Sequence, residues 1–330
     1  MEFVHILIQG VKQVLDIKNL KTIFKVGKET VTAVDDVSFS VEKGKVIGLV
    51  GESGSGKTVT AMSILNLLPD NAKIESGEIL FNGEDLLKKS NKELQLIRGR
   101  DVGLIFQNPL AALNPVFTVG EQIQETILLH RGISKKEAKE EAISLLKKVN
   151  IPDPEVRYDN YPHEFSLGMC QRAMIAMTLS MKPKLLIADE PTASLDVTVQ
   201  AQILELLGEL TEEYGMSVLM ISHDLGVIAQ YCDEVMVMYL GSLVEKGSAV
   251  DIFKDPKHPY TQALLSSIPI PDPSKKHKPT ILQGDIPSPL HIPSGCRFHP
   301  RCPQVKPECS KVSLSLKRVD NSEVACVIYK

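Results

Sequence analysis

Tryptophan is absent from this 330-residue chain, and aromatic residues amount to only 5% of it. So sparse an aromatic set argues against a stacking platform for single-stranded nucleic acid. A surplus of positive charge is missing too. Lys and Arg number 37 against 41 Asp and Glu, a net charge of −4, which leaves no global pull toward nucleic acid. No run approaches the ~20 apolar residues that a membrane-spanning helix needs. The apolar stretch at residues 3–8 is short, lacks a basic leader and is followed by Gln9 and Gly10. It reads as a strand or a disordered start rather than an export signal, which implies a reducing compartment. The six cysteines are then thiols or metal ligands rather than disulfides. With 43% hydrophobic and 24% charged residues, the chain is neither collagen-like, mucin-like nor wholly disordered.

What is present is unevenly spread. Cys170 and Cys232 stand alone, in helical context, as packing residues, whereas Cys296, Cys302, Cys309 and Cys326 crowd the last 35 residues. Of 20 prolines, 8 precede residue 255 and 12 follow from Pro256 onward, so a boundary is expected near 255 with a Pro-rich appendage behind it. Before that boundary, strand and helix signals alternate, as in an α/β domain. Residues 46–50, 185–188 and 217–221 read as buried strands. A helix is expected over about 58–68, stopped by Pro69. Another follows Asp196, with Val199, Ile203, Leu206, Leu207 and Leu210 on one face. Residues 109–182 read as a helical insertion without strands. Within it Ser134 and Glu137 form a capping box ahead of Ala138, Ala142, Leu145, Leu146 and Val149.

The strongest motif is Gly51-Glu52-Ser53-Gly54-Ser55-Gly56-Lys57-Thr58, which fits G-x-x-x-x-G-K-[ST] at every position, with a strand before and a helix after. Glycines let backbone N–H groups converge on a triphosphate, and the following helix turns its positive end toward it. Lys57 neutralises the β- and γ-phosphates, and the Thr58 hydroxyl is placed to ligate Mg²⁺. The second element is Leu185-Leu186-Ile187-Ala188-Asp189-Glu190, where two acids emerge at the C-terminal end of a buried strand. Asp189 is placed to hold Mg²⁺ through water and Glu190 to polarise an attacking water. Neighbouring acids on a strand face opposite ways, but at its end the chain can turn both toward a phosphate.

Further motifs stand in the order found in ATP-binding cassette (ABC) proteins. Ile105-Phe106-Gln107-Asn108-Pro109 resembles the Q-loop, and Phe165-Ser166-Leu167-Gly168-Met169-Cys170-Gln171-Arg172 the signature motif. Ala193-Ser194-Leu195-Asp196 resembles the D-loop and Ser222-His223-Asp224 the switch histidine. The resemblance covers roughly residues 13–254. It narrows to the dipeptide/oligopeptide importer ATPases, with nickel importer ATPases close by, through Thr198-Val199-Gln200-Ala201-Gln202-Ile203, His258-Pro259-Tyr260-Thr261-Gln262-Ala263-Leu264-Leu265 and the segment from Gly295 to Pro303. A cassette that only senses redox state through its cysteine tail is the rival reading.

The resemblance implies an α/β, ABC-type P-loop nucleotide-binding domain with a helical subdomain at about 109–182, and a small Pro/Cys-rich C-terminal extension over 255–330. It implies a head-to-tail pair with a second, different ABC ATPase subunit, in which ATP lies between the phosphate loop of one and the signature of the other. It further implies two transmembrane permease subunits, an extracytoplasmic substrate-binding protein, and a peripheral position on the cytoplasmic face of the membrane. Phe24 matches the aromatic that stacks on adenine, with Val31 and Ala33 lining that pocket. Gln107 matches the residue that touches Mg²⁺ or the attacking water, and His223 the one that hydrogen-bonds the γ-phosphate. Gly51, Ser53, Gly54, Ser55, Gly56, Lys57 and Thr58 would hold this chain's nucleotide. Ser166, Gly168 and Asp196 belong to the motifs that face a partner's. One departure stands out: the family's Ser-Gly-Gly is here Ser166-Leu167-Gly168, and leucine restricts φ and adds bulk.

The four tail cysteines have five, six and sixteen residues between successive members. Spacing alone indicates a metal site and leaves zinc or iron–sulfur open. The resemblance favours a [4Fe–4S] cluster on Cys296, Cys302, Cys309 and Cys326, with Zn²⁺ the alternative. With few apolar residues to bury, the tail is expected to need such a staple. With the cassette's core built from residues before 255, replacing one of the four cysteines by Ser is expected to loosen the region from about 285 and leave ATP binding in place.

Overall fold

The computed structural model describes residues 13–268 and 282–329, so the stretch at 3–8 lies outside the described residues. In chain order the elements begin with β1 (Gln13–Val26), β2 (Glu29–Glu42), β3 (Val46–Val50), α1 (Lys57–Ile64), β4 (Ala72–Phe81) and β5 (Glu84–Asp85). Next come α2 (Asn91–Ile97), β6 (Val102–Ile105), α3 (Pro109–Ala112), α4 (Val119–His130), α5 (Lys135–Lys148), α6 (Pro154–Arg157) and α7 (Leu167–Leu179). Then come β7 (Leu185–Asp189), α8 (Val197–Tyr214), β8 (Ser217–Ser222), α9 (Leu225–Tyr231), β9 (Glu234–Tyr239) and β10 (Ser242–Ser248). The chain closes with α10 (Ala249–Lys254), α11 (Pro259–Ser266), β11 (Lys317–Val319) and β12 (Ser322–Val324).

These elements form two compact units that alternate along the chain. Of the described residues, one comprises 42–44 and 88–219 together with the start of β1; the other comprises 15–41, 45–87, 220–268 and 282–329. The residues behind 255 therefore share a unit with the phosphate-loop motif.

In the first unit β6 and β7 run parallel, Val102 opposite Leu185 and Ile105 opposite Ala188. Every residue of β7 is buried, as a continuous apolar run requires. Residues 109–182 are strand-free, carrying α3 to α7. Ser134 Oγ accepts from Glu137 N at 3.3 Å while Glu137 Oε2 accepts from Ser134 N at 2.9 Å, so the capping box is present. Ala138, Ala142, Leu146 and Val149 are buried on the face that the periodicity marks, and Leu145 is half-buried. Cys170 packs in the interior of α7.

In the second unit β2, β1, β4 and β5 lie side by side in that order, β4 antiparallel to both its neighbours. Elsewhere in the unit β3 pairs in parallel with β9, and β9 antiparallel with β10. The tail hairpin β11–β12 then pairs through β12 with β10, Glu245 opposite Val324. The tail also carries its own packing. Phe298 and Tyr260 are fully buried, their ring centroids 5.3 Å apart, and they lie 5.3 and 4.7 Å from the Tyr239 ring on β9. Composition concealed this: a few rings placed against a buried strand serve where many aliphatics would otherwise be needed. Glu245, wholly buried, accepts from the N–H groups of Lys257 at 2.6 Å and His258 at 2.9 Å. Buried His258 in turn caps α11 through Nδ1, which accepts from Tyr260 N at 3.1 Å, and burial pushes its pKa down to about 3.

One helix limit differs from expectation. The helix expected over 58–68 ends at Ile64, before Pro69 is reached. Asn66 takes a left-handed conformation, φ +49°, and the Leu67 N–H closes back on the Met62 carbonyl at 2.9 Å. Asparagine in that position ends helices in its own right. The signature helix begins at Leu167, with Ser166 Oγ accepting from Met169 N at 3.2 Å.

Candidate functional site

The phosphate-loop motif leaves β3 at Gly51 and enters α1 at Lys57. A side chain at Gly51 would place its Cβ 2.2 Å from the Met238 carbonyl oxygen, and one at Gly56 would stand 2.5 Å from that of Ala33. These glycines let the loop pass against backbone, while Gly54, at φ +77°, faces open space. Lys57 is buried, and its Nζ donates to the carbonyls of Gly51 at 2.7 Å and Glu52 at 3.1 Å. Ser55 contributes its carbonyl to Gly241 N at 2.8 Å and its own N–H to the Glu52 carbonyl at 3.1 Å. Ser53 and Thr58 are exposed. Ala33 on β2 thus adjoins the loop. Phe24 on β1 and Val31 on β2 are half-buried, Phe24 opposite Ala72 of β4.

Glu52 draws partners from far along the chain. Its N–H donates to Tyr260 Oη at 2.9 Å, and its carboxylate accepts both terminal nitrogens of Arg301, at 2.7 and 3.2 Å. Arg301 also lies against Tyr239. Arg297 binds the Leu240 carbonyl and the Asp35 carboxylate. Sequence reasoning quoted Tyr260, Arg297 and Arg301 as markers of a subfamily and assigned them no contact. The pairing of Glu52 with Arg301 spans 249 positions, and no local pattern reports it.

In the other unit Asp189 is buried at the end of β7, and Glu190, half-buried, has φ +48°. That left-handed residue turns the chain where a continuing strand would have alternated, and the Ala193 N–H closes back on the Glu190 carbonyl at 3.1 Å. Positive φ at a non-glycine costs roughly 1–2 kcal/mol, a strain typical of functional positions. Gln107, exposed just beyond β6, donates from Nε2 to Glu190 Oε2 at 2.7 Å. The structure therefore brings together the Gln of one motif and the Glu of another. Asp196 caps α8, its Oδ1 accepting from Thr198 N at 3.1 Å and Val199 N at 3.0 Å. Gly168 lies so close to α8 that a Cβ would meet Val199 Cγ1 at 2.9 Å, while Leu167, first residue of its helix, is half-buried. Back in the second unit, His223 is exposed behind β8, between Ser222 and Asp224, the N-cap of α9.

A metal site is expected of the tail cysteines Cys296, Cys302, Cys309 and Cys326. Among the described residues no group of three or more Cys, His, Asp or Glu side chains is arranged to hold a metal ion, and none of these four cysteines is in a disulfide. Burial pushes the Cys296 thiol up to about 11 and raises Cys302 and Cys326 as well, so the neutral form is favoured. The donor chemistry nevertheless suits thiolates: the backbone N–H groups of Phe298, Gln304 and Ile328 act on Cys296, Cys302 and Cys326, and that of Lys306 reaches Cys309 Sγ at 3.3 Å.

Comparison with known proteins decides the family. The ABC transporter family matches residues 34–193, and the C-terminal region of oligopeptide/dipeptide transporters matches residues 244–309. The chain is 46% identical to the dipeptide transport ATP-binding protein DppD of Haemophilus influenzae, over 94% of each chain. It is also 46% identical to the oligopeptide transport ATP-binding protein AppD of Bacillus subtilis, over 96% of this chain and 97% of that one. The chain belongs to the ABC transporter ATP-binding family, in its oligopeptide/dipeptide branch. Its fold agrees with the ATP-binding cassette MJ0796, solved as a dimer in a post-hydrolysis state with ADP and Pi. That structure is 26% identical, covers 71% of this chain and 98% of its own, and has a TM-score of 0.65. As a member of this family the cassette is an ATPase. Among its described residues no helix is long and apolar enough to cross a membrane.

Proposed function

We propose that this cassette hydrolyses ATP to drive uptake of dipeptides or oligopeptides through a membrane importer. The match of residues 244–309 to the oligopeptide/dipeptide transporter C-terminal region carries the peptide reading over nickel or pure redox sensing. In this reading the N–H groups of the loop from Gly51 to Gly56 and Lys57 bind the phosphates, while Phe24, Val31 and Ala33 receive the adenine. Bound Mg²⁺ supplies charge neutralisation on the phosphates, held by Thr58, Asp189 and Gln107. Glu190 takes the proton of the attacking water, Gln107 holds that carboxylate in place, and His223 bonds the γ-phosphate. Ser166, Gly168 and Asp196 serve a second, different cassette packed head to tail. Phe106, Leu110, Val116 and Phe117, exposed by 38 to 71%, follow Gln107 closely and suit contact with two permease subunits at the cytoplasmic face of the membrane. An extracytoplasmic binding protein would deliver the peptide. The [4Fe–4S] reading, with zinc as the alternative, rests on the four tail thiols and their N–H donors.

The test is ATP affinity and turnover in the assembled transporter. Lys57→Ala weakens ATP binding, whereas Glu190→Gln binds ATP and loses ~10²–10⁴-fold in hydrolysis, the usual worth of a positioned general base. Normal turnover in Glu190→Gln would refute the assignment. Stimulation by nickel but not by peptides would overturn the substrate. Iron, sulfide and zinc analysis of anaerobically prepared protein decides the tail, and absence of all three would remove the metal.

A further inference from the structure

The phosphate loop carries an acid, Glu52, in its second position, where a polyanionic ligand is to be bound. A free carboxylate there would oppose a triphosphate. It is not free: both terminal nitrogens of Arg301 reach it, and the Arg301 side chain is only 8% exposed against 26% for Glu52. Guanidinium and carboxylate meet as two planar forks, a geometry that lysine cannot reproduce. The same Glu52 is fixed at its N–H by Tyr260 and at its carbonyl by Lys57, so the loop is held there on three sides. Arg301 is itself fixed by its place beside Tyr239, in the aromatic group formed with Tyr260 and Phe298. Every one of these groups lies in one compact unit, and two of the anchors, Tyr260 and Arg301, come from behind residue 255.

We propose that Arg301 is a positioning residue for ATP: it cancels the Glu52 charge beside the phosphate site and holds the loop, making the C-terminal extension a working part of the nucleotide site. This rests on the phosphate-loop reading above. Removing the guanidinium leaves a mostly buried carboxylate unpaired in the loop, so ATP binding weakens through charge. Removing both charges relieves that repulsion even though the pair is lost.

The experiment measures ATP affinity by equilibrium dialysis on the full chain and KM and kcat in the assembled transporter. Variants are Arg301→Ala, Arg301→Lys, Glu52→Gln with Arg301→Ala, and Lys57→Ala as the control for the loop itself. Arg301→Ala is expected to lose roughly ten-fold in affinity, or about 1.4 kcal/mol. The loss appears in KM more than in kcat. Adding Glu52→Gln recovers most of it, and Arg301→Lys, which keeps charge and folding but not the fork, falls between. If Lys57→Ala binds ATP normally, the phosphate-loop reading fails and the proposal with it. If Lys57→Ala fails while Arg301→Ala binds like wild type, only the proposal fails. A loss in Arg301→Ala that Glu52→Gln does not relieve would make Arg301 a packing residue and also overturn it.

Discussion

Gly56→Ala and Gly54→Ala together separate two costs that a glycine-rich loop usually mixes. Both positions have positive φ, +108° and +77°, so both variants incur the penalty of a Cβ there, roughly 1–2 kcal/mol. Only at Gly56 does the new Cβ also strike something. It would lie 2.5 Å from the Ala33 carbonyl oxygen, 2.8 Å from Met238 Cε and 3.5 Å from Gly241 Cα. The methionine end can swing aside; the Ala33 oxygen belongs to β2 and cannot move without the strand. Forcing a core apart in this way costs a further ~1–3 kcal/mol. Gly56→Ala should therefore lose about 2–5 kcal/mol of a total near 5–15 kcal/mol. Gly54→Ala, whose Cβ meets nothing within 4 Å, loses only the first part. Equilibrium urea unfolding of the full chain reads the difference directly, provided the slope is unchanged. Equal midpoints for the two variants would refute the claim that backbone approach dictates Gly56. Because Ala33 is displaced, Gly56→Ala should also bind ATP more weakly than Gly54→Ala.

Hydrogen bonds from the Ser134 hydroxyl and N–H hold the Glu137 carboxyl below the usual glutamate range. Its contribution is thus present above the ordinary pKa of 4.5 and lost as pH falls through the lower folded value. Glu137→Gln, which still accepts the N–H but does not titrate, should shrink the loss of urea midpoint between pH 6 and pH 3; an unchanged loss would count against the capping box. Leu167→Gly restores the family's signature, and in a transporter whose own site is disabled by Lys57→Ala it should raise turnover at the partner's site. No rise would mean that Leu167 is tolerated there.

The chemistry-bearing strands were legible because they are short, apolar and end in motifs. Residues 46–50 are β3 as expected, and β7 and β8 each run one residue past the expected end. Periodicity located the buried face of α5, since Ala138, Ala142, Leu146 and Val149 repeat at helical spacing. Two features escaped for opposite reasons. Helix α1 stops at Ile64 because Asn66 takes a left-handed turn, a local choice that outranks a proline five positions after Ile64. The tail's packing escaped because it depends on contacts across the whole sequence, Tyr239 with Phe298 and Glu52 with Arg301. The metal site read from cysteine crowding finds no arranged ligand set among the described residues.

These contacts change the standing of the C-terminal extension. Composition draws a line near residue 255 and sets the residues behind it apart as an appendage. Yet the loop's own supports include Tyr260 on the Glu52 N–H, Arg301 on its carboxylate and Arg297 on the Leu240 carbonyl. Gly241, next to Leu240, in turn binds the Ser55 carbonyl. Removing the chain after residue 254 would strip the buried Tyr239 ring of both aromatic neighbours and leave Glu245 without the two N–H groups it accepts. Buried polar groups that lose their partners cost about 1–3 kcal/mol each. The phosphate loop is anchored from both sides of that line, so truncation there should weaken ATP binding along with folding.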